Sequence, residues 1–436
     1  MKPISRPNRR TFLKRTAGAI AVPFLIPSSV FGRDGAVAPS ERILMGGIGL
    51  GGRGTSDLRW MMGESDVQFR AVCDVRKRQR EALKKRIDGK YKTKDCATYS
   101  DIREFLAEQT DLDAVLIATG DRWHATASIM AMKAGKDVYC EKPSCLTMAE
   151  GRRVVETARR YGRVYQTGAQ RLSEANHVFA IEMARTGRLG KIHTVYADCR
   201  YHGGSRHDWL PAEKEPPKDE VNWDAWLGPC LWRPYNKGYV NRGWYNFYDM
   251  ATDIAMWGAH TVAQALAGID MTGVSQIEFE FAKLDAPMVT RLSNGIKMVL
   301  FRNPGSCWKK CEFWHGACGE RFDGPDGWAA AADGYSKPDV SSPALFAEYK
   351  KVLAEYKART QRPLSHVRDF FDCVRSRRET VAHPEVMHRS MAICLAADIC
   401  GMLKRNLKLD LVTMEFVGDA EANHFTSRPV RAPWSV

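Results

Sequence analysis

Residues 43 to 54 read Ile-Leu-Met-Gly-Gly-Ile-Gly-Leu-Gly-Gly-Arg-Gly. A short apolar run ends in a G-x-G-x-x-G loop whose members are Gly49, Leu50, Gly51, Gly52, Arg53 and Gly54. A second apolar run, Val67 to Cys73, is closed by Asp74, twenty residues after Gly54. Strand, glycine loop, helix, strand and acid in this order form a dinucleotide-binding βαβ unit. Gly49 permits the tight turn, Gly51 lets the backbone approach a pyrophosphate, and Gly54 lets the helix pack on the sheet. The helix N-terminus offers free N–H groups to phosphates. Asp74 stands where a carboxylate accepts the adenosine ribose hydroxyls, which favours NAD over NADP. The neighbouring Arg76, Lys77 and Arg78 are cations that could instead hold a 2′-phosphate.

Outward from this loop, strands are expected at 43–48, 67–73, 114–118, 137–140 and 163–167. Helices are expected at 55–62, 76–87, 100–108, 123–134 and 148–161, the last opened by the capping-box pair Thr147 and Glu150. Alternation of this kind predicts an α/β fold with a parallel, doubly wound sheet. Ligands bind such sheets at the carboxyl ends of the strands, which points to Thr119–His124 and to Glu141-Lys142-Pro143. After residue 170 the rhythm changes. Residues 200–250 are rich in Trp, Tyr, Gly and Pro. Alternating runs follow at 274–282, 287–292, 296–302 and 309–315, and then helical stretches at 365–376 and 384–404. The expected organisation is a leader and linker over 1–40, a Rossmann domain over 41–170, and an α+β domain over 171–436 with an open, mainly antiparallel sheet.

The chain has 436 residues, 44% of them hydrophobic and 27% charged, with a formal net charge of +14. The first forty residues hold seven Lys or Arg against one acid, so +6 resides there and +8 in the remainder. There is no nucleic-acid motif and no sustained basic stripe, so no nucleic-acid partner is expected. Asn8-Arg9-Arg10-Thr11-Phe12-Leu13-Lys14 precedes an apolar stretch, Ala17 to Ile26, that is too short to span a bilayer. Paired arginines before Phe-Leu-Lys resemble a twin-arginine signal. They imply export of a folded protein to the periplasm through that machinery, with no stable membrane span. Of twelve cysteines most sit singly in apolar runs. Cys307, Cys311 and Cys318 cluster without a zinc spacing, which leaves a disulfide open and makes a metal site unexpected.

Three segments then stand together: Val138-Tyr139-Cys140-Glu141-Lys142-Pro143, Ile117-Ala118-Thr119-Gly120-Asp121-Arg122-Trp123-His124, and Trp257-Gly258-Ala259-His260. With Trp226-Leu227-Gly228-Pro229 and the tail Glu415–Asn423, they make the chain from about Arg42 onward resemble the Gfo/Idh/MocA oxidoreductases. That family is named for glucose–fructose oxidoreductase, inositol dehydrogenase and a rhizopine-catabolism protein. The resemblance implies that Lys142 lies beside the nicotinamide and touches the reacting hydroxyl, and that His260 is the acid/base. It places Thr119, Asp121, Trp123, His124, Glu141, Lys142 and Gln170 with the glycine loop and Asp74 around the cofactor, and implies a homo-oligomer. The chain also departs from the family pattern. Met256 replaces an aspartate four residues before the histidine, Ala251-Thr252 a glycine pair, and Ala263 a second aspartate. Asp249 or Asp253 is the expected substitute for the lost carboxylate. The aromatic region suits stacking on sugar C–H faces, and Arg242, Trp244 and Tyr248 are the substrate-side candidates.

Three functions follow from this reading. The first is an NAD-dependent oxidoreductase acting on a sugar, glycoside or polyol hydroxyl. The second is an NAD-dependent glycoside hydrolase that works by transient oxidation and elimination. The third is a cofactor-bound carbohydrate-binding protein without turnover.

Overall fold

The computed structural model describes residues 37–199, 205–283, 286–301, 316–334 and 337–436. The twin-arginine segment, Cys307, Cys311 and the expected strand over 309–315 lie outside the described residues. The chain divides into two units, Met1–Arg42 and Ile43–Val436. In the first, Pro39–Glu41 forms a single 3₁₀ turn.

The second unit opens with the expected alternation. Its strands are β1 (Ile43–Ile48), β2 (Val67–Cys73), β3 (Ala97–Tyr99), β4 (Ala114–Ile117), β5 (Asp137–Cys140) and β6 (Tyr165–Thr167). The intervening helices are α1 (Gly52–Met61), α2 (Lys77–Tyr91), α3 (Ile102–Glu108), α4 (Asp121–Lys133) and α5 (Met148–Tyr161). Among the described residues the sheet order is β3-β2-β1-β4-β5-β6, every pair parallel. Strand order therefore reverses between β1 and β4, which opens a crevice at their carboxyl ends. β1, β4 and β5 are apolar along nearly their whole length because helices cover both faces. Thr147 caps α5 by accepting from Glu150 N at 3.1 Å, while the Glu150 carboxylate accepts from Leu146 N at 2.7 Å. The acid thus reaches one residue further back than a capping box requires.

Helix α6 (Ala175–Arg185) leads to β7 (Thr194–Asp198). Two short helices, α7 (Trp223–Leu227) and α8 (Lys237–Val240), then interrupt the aromatic region, and α9 (Ala255–Gly268) follows. The remaining strands are β8 (Gln276–Glu280), β9 (Met288–Leu292), β10 (Lys297–Phe301), β11 (Ala317–Gly324), β12 (Gly327–Asp333), β13 (Asp339–Val340), β14 (Leu407–Asp410) and β15 (Glu415–Phe416). They form a nine-stranded sheet among the described residues, order β13-β12-β11-β7-β10-β9-β8-β14-β15. Only the β7–β10 pair is parallel in that sheet.

Three of these strands escape a periodicity reading. β12 spells Gly-Trp-Ala-Ala-Ala-Ala-Asp, a helix-forming composition, yet pairs with β11 across its length. Burial against neighbours overrides intrinsic preference there. β7 and β11 carry charged residues within them, Asp198 and Glu320, both buried; Asp198 accepts from Cys318 N across the sheet, and Glu320 bonds His177 on α6.

Helices α10 (Pro343–Ala347), α11 (Tyr349–Thr360), α12 (His366–Ser376), α13 (Pro384–Leu403) and α14 (Ala420–His424) complete the chain. α13 is long and apolar enough to cross a membrane by length and composition, but most of it is buried against the rest of the fold. It is a core helix packed on α5 and α9. Residues 223–250 carry their own small core of Trp223, Trp226, Leu227, Cys230, Tyr239, Phe247 and Met250. Much of the aromatic region therefore serves packing.

Candidate active site

The glycine loop lies in the crevice between β1 and β4. Gly49 has φ +66°, and a Cβ there would fall 2.2 Å from Thr119 Cγ2. Only a residue without a side chain takes that conformation against that neighbour. A Cβ on Gly54 would sit 2.6 Å from Ala118 Cβ, so the glycine sets how closely α1 meets β4. Leu50 is fully buried in the core beneath the loop, and its carbonyl accepts from Gln79 Nε2. The first turn of α1 holds no acid. Its N–H groups and positive dipole end face the crevice uncompensated.

A cavity of about 310 Å³ opens over this loop. Gly49, Gly51, Gly52, Arg53, Asp74, Thr119 and Trp123, all cofactor-side candidates, line it. Asp74 is buried, and its Oδ1 accepts from Arg76 N at 3.0 Å and Arg76 Nε at 3.4 Å. A cradle that any Cβ would fill, an acid-free helix N-terminus and a carboxylate at the end of β2 fit a dinucleotide.

The residues of α7 to Tyr245 roof the same cavity. Arg122 donates to the Trp226 carbonyl through Nε at 2.9 Å and Nη2 at 2.6 Å, and its guanidinium stacks 3.7 Å over the Trp226 ring. Trp123 Nε1 donates to Ala225 O at 2.9 Å. Arg122, Trp226, Tyr245 and Trp434 are lining residues that the sequence did not assign to the cofactor or the substrate. Arg122 was visible inside the Gly120–His124 segment, but its role depends on a partner 104 residues away.

Arg242 and Trp244, the substrate-side candidates, line this cavity too. Tyr248, the third candidate, lies elsewhere. It lines a different cavity with His207, Asp253, Asp398 and Arg428, and the Arg428 guanidinium covers its ring at 3.7 Å.

The E-K-P segment ends β5 and is tied back to α1. Arg53 contacts Glu141 Oε1 at 3.2 Å and Asp57 Oδ1 at 3.0 Å. Gln170 Nε2 donates to Glu141 Oε1 at 2.6 Å and to Tyr139 Oη at 3.1 Å. Burial, reinforced by Glu141, pushes the Asp57 carboxyl up to about 8. Glu141 and Gln170 therefore brace the strand end and do not line the cavity. His124 is a strut as well. Its Nδ1 lies 2.6 Å from Pro143 O and its Nε2 3.2 Å from Thr119 O, and burial lowers it to about 4.

Lys142 Nζ donates to the Met256 carbonyl at 2.7 Å, in the first turn of α9. His260 lies one turn further along. It is buried, and its Nδ1 has no hydrogen-bond partner among the described residues. Burial first, then Arg171, Lys142, Arg53 and His366, hold its pKa well below the usual histidine value. Asp249 is not a substitute for the carboxylate lost at position 256, because its own carboxylate is paired with Arg233. Asp253 bears on Asp398, whose carboxyl burial and Asp253 together push up to about 8. Arg171, Lys142 and Arg53, which act on His260 after burial, are all cationic. Asp121, at the start of α4, is buried and near Lys142, and burial raises its carboxyl to about 7.

Glu174, His177 and Asp333 bring possible ligand atoms within 4.8 Å of one another. Asp333 is bound by Arg171 at 2.7 Å and His177 by Glu320 at 2.9 Å, while Glu174 is exposed, so two of the three already have partners in a partly buried network. Cys318 carries a free thiol.

Residues 43–169 match the oxidoreductase family with an NAD-binding Rossmann fold, Gfo/Idh/MocA, and residues 339–436 match the C-terminal alpha/beta domain of the same oxidoreductase family. The chain belongs to the Gfo/Idh/MocA oxidoreductase family. An alpha-N-acetylgalactosaminidase of Shewanella oneidensis is 28% identical over 207 residues, 42% of this chain and 44% of that protein. A myo-inositol 2-dehydrogenase of Thermotoga maritima is 31% identical over 156 residues, 36% of this chain and 45% of that protein. The chain thus matches a little under half the length of these curated relatives. The WlbA dehydrogenase of Bordetella pertussis, solved with NADH and UDP-GlcNAcA, shares the fold with a TM-score of 0.60 at 16% identity, over 85% of this chain and 98% of that one.

Proposed function

We propose that the protein is an NAD-dependent oxidoreductase acting on a hydroxyl of a sugar, glycoside or polyol. The observation that carries the reading is the link from Lys142 to the first turn of the helix bearing His260, at the carboxyl end of β5. The glycine loop and α1 N-terminus would hold the pyrophosphate, and Asp74 the ribose hydroxyls. Bound NAD supplies the oxidant, taking a hydride from the substrate carbon. The Lys142 ammonium donates a hydrogen bond to the reacting hydroxyl and stabilises negative charge on its oxygen. His260, held neutral by burial and by surrounding cations, takes the hydroxyl proton. Asp74 favours NAD over NADP, since a 2′-phosphate would meet its carboxylate.

A second reading has the same residues act twice, oxidising a glycoside, permitting elimination of the aglycone, and, after water adds to the unsaturated product, reducing the sugar again with the hydride first removed. The similarity to a glycosidase supports it. So does the roof of residues 223–245 over the cofactor cavity, which suits a nucleotide retained between half-reactions. The test is to identify the nucleotide carried by the purified protein. The protein is then incubated with polyols, sugars and glycosides while NADH absorbance and released sugar are followed. Net NADH supports oxidation and sugar release without NADH supports hydrolysis. Neither product from a nucleotide-loaded protein across a broad panel would favour a carbohydrate-binding role.

We also propose export through the twin-arginine route to the periplasm, and self-association. Arg9 and Arg10 replaced by Lys should keep the protein inside the cell. Undiminished periplasmic protein would refute export. Light scattering reports the oligomeric state.

A further inference from the structure

We propose that Arg242 is a diphosphate clamp, contributed to the cofactor from outside the Rossmann sheet. The inference rests on the dinucleotide reading above and moves Arg242 from the substrate side to the cofactor.

Three independent features converge. The first is position. Arg242 lines the same cavity as Gly49, Gly51 and Gly52, and its Nη2 lies 3.1 Å from where a Cβ on Gly52 would stand. Gly52 is the first residue of α1. The guanidinium therefore sits over the N–H groups and positive dipole end of a ten-residue helix with no acid in its first turn. Arg76 Nη2 stands 3.9 Å from the corresponding point on Gly51, with its Nε paired to Asp74 at 3.4 Å. Cations gathered at a helix N-terminus repel one another and the dipole. An anion between them turns that repulsion into charge-assisted hydrogen bonds.

The second feature is the backbone. Arg242 has φ +74° and ψ 0°, a left-handed conformation uncommon for a residue with a long side chain. It is held there by a tight turn. Gly243 packs so closely that a Cβ would lie 2.4 Å from Gly238 O, and Asn241 N donates to Lys237 O at 2.9 Å. Asn236 anchors the turn, accepting from Gly238 N at 2.7 Å and donating to Pro211 O at 2.8 Å. Sustained backbone cost at a site that aims a cation across a cavity fits a ligand contact.

The third feature is another cation in the wall of the same cavity. Arg122, a residue 5% exposed, lines the same cavity, and its guanidinium lies 5.7 Å from the centroid of the Trp244 ring. A second guanidinium in that wall adds to the positive field that an anion in the cavity would meet.

The test uses the full-length mature protein stripped of nucleotide and titrated calorimetrically with NAD and with ADP-ribose, which retains the diphosphate and lacks nicotinamide. Arg242→Ala should weaken both ligands by about 10- to 100-fold, the range for a hydrogen bond to a charged group. Arg242→Lys should recover part of the loss, since charge is kept and the planar fork is not. Lys237→Ala removes a cation from the same turn that does not line the cavity, and should bind ADP-ribose as the wild type does. Arg242→Gln serves if the alanine variant does not fold. ADP-ribose affinity within about twofold of wild type in a folded Arg242 variant would overturn the clamp, and a raised substrate KM in that variant would return Arg242 to the substrate side. Equal losses in the Arg242 and Lys237 variants would overturn it in favour of diffuse charge. A wild-type protein that binds neither NAD, NADP nor ADP-ribose would sink the cofactor reading itself.

Discussion

Lys142 Nζ lies 2.7 Å from the carbonyl oxygen of Met256, a residue 114 positions away. In an α-helix that carbonyl faces the amide four residues on, which is His260. One oxygen thus ties the end of β5 to the turn that carries the imidazole. The bond is to main chain, so it survives whatever side chain occupies position 256. The aspartate missing from the family pattern is therefore unnecessary for placing the lysine. Its absence bears on the histidine.

Lys142→Ala and His260→Ala should each lower turnover by ~10²–10⁴-fold, the usual contribution of a positioned acid or base. Both variants should fold and bind NAD with near wild-type affinity, because neither residue lines the cavity over the glycine loop. Steady-state rates alongside NAD titration check this. Wild-type turnover in either folded variant would remove that residue from the chemistry.

Met256→Asp should raise the pKa of His260. Residues 256 and 260 share a helix face, and the groups now acting on the imidazole are Arg171, Lys142, Arg53 and His366. A carboxylate on that face favours the imidazolium, so the acid/base limb of the single-turnover pH–rate profile should move to higher pH. An unchanged profile, with the new carboxylate shown to contact the ring, would mean that His260 is not the titrating group.

Gly49→Ala should cost roughly 1–3 kcal/mol of stability and weaken NAD binding. The position has φ +66° and faces Thr119 closely, its Cα as well as its methyl, so the side chain has nowhere to go. Thermal melts with and without NAD read both effects. A variant with unaltered melting would show that the loop relaxes more freely than its packing implies.

Asp398→Asn should flatten the dependence of stability on pH. The Asp398 carboxyl is raised from 3.8 to about 8, by burial and then by Asp253. A raised acid keeps its proton in the fold and sheds it in the unfolded chain. Its stabilisation is complete below the unfolded pKa and is lost as pH rises from about 4 to about 8. Asparagine keeps the acceptor that Ile254 N uses and carries no proton. Denaturant midpoints from pH 5 to 9 should fall less steeply in the variant. Equal slopes would place the titration elsewhere, for example at Asp57 or Asp121, which burial also raises.

The sequence alone was enough to define the Rossmann half. β1, β2 and β5 start and stop at the expected residues, and α5 spans 148–161 as its capping residues require. These features are local: a strand's apolar run, a helix cap and a glycine turn are each written within a few residues. The strand order follows from the rules of parallel connection. The alternating runs after residue 270 likewise announced β8, β9 and β10. β12 was hidden because alanine carries little strand signal until neighbouring strands bury it.

The site divides along the same line. Glycine loop, Asp74, Lys142 and His260 were legible because motifs set them at fixed spacing. Only tertiary structure decided that Glu141, Gln170 and His124 brace rather than line the cavity, that Tyr248 belongs to another cavity, and that Arg242 overlies Gly52. Each of those outcomes depends on which residues meet across a hundred or more positions, or on which side of a strand end a side chain falls. Folding settles such contacts by burying apolar surface and pairing charge over the whole unit, a balance that no single segment contains.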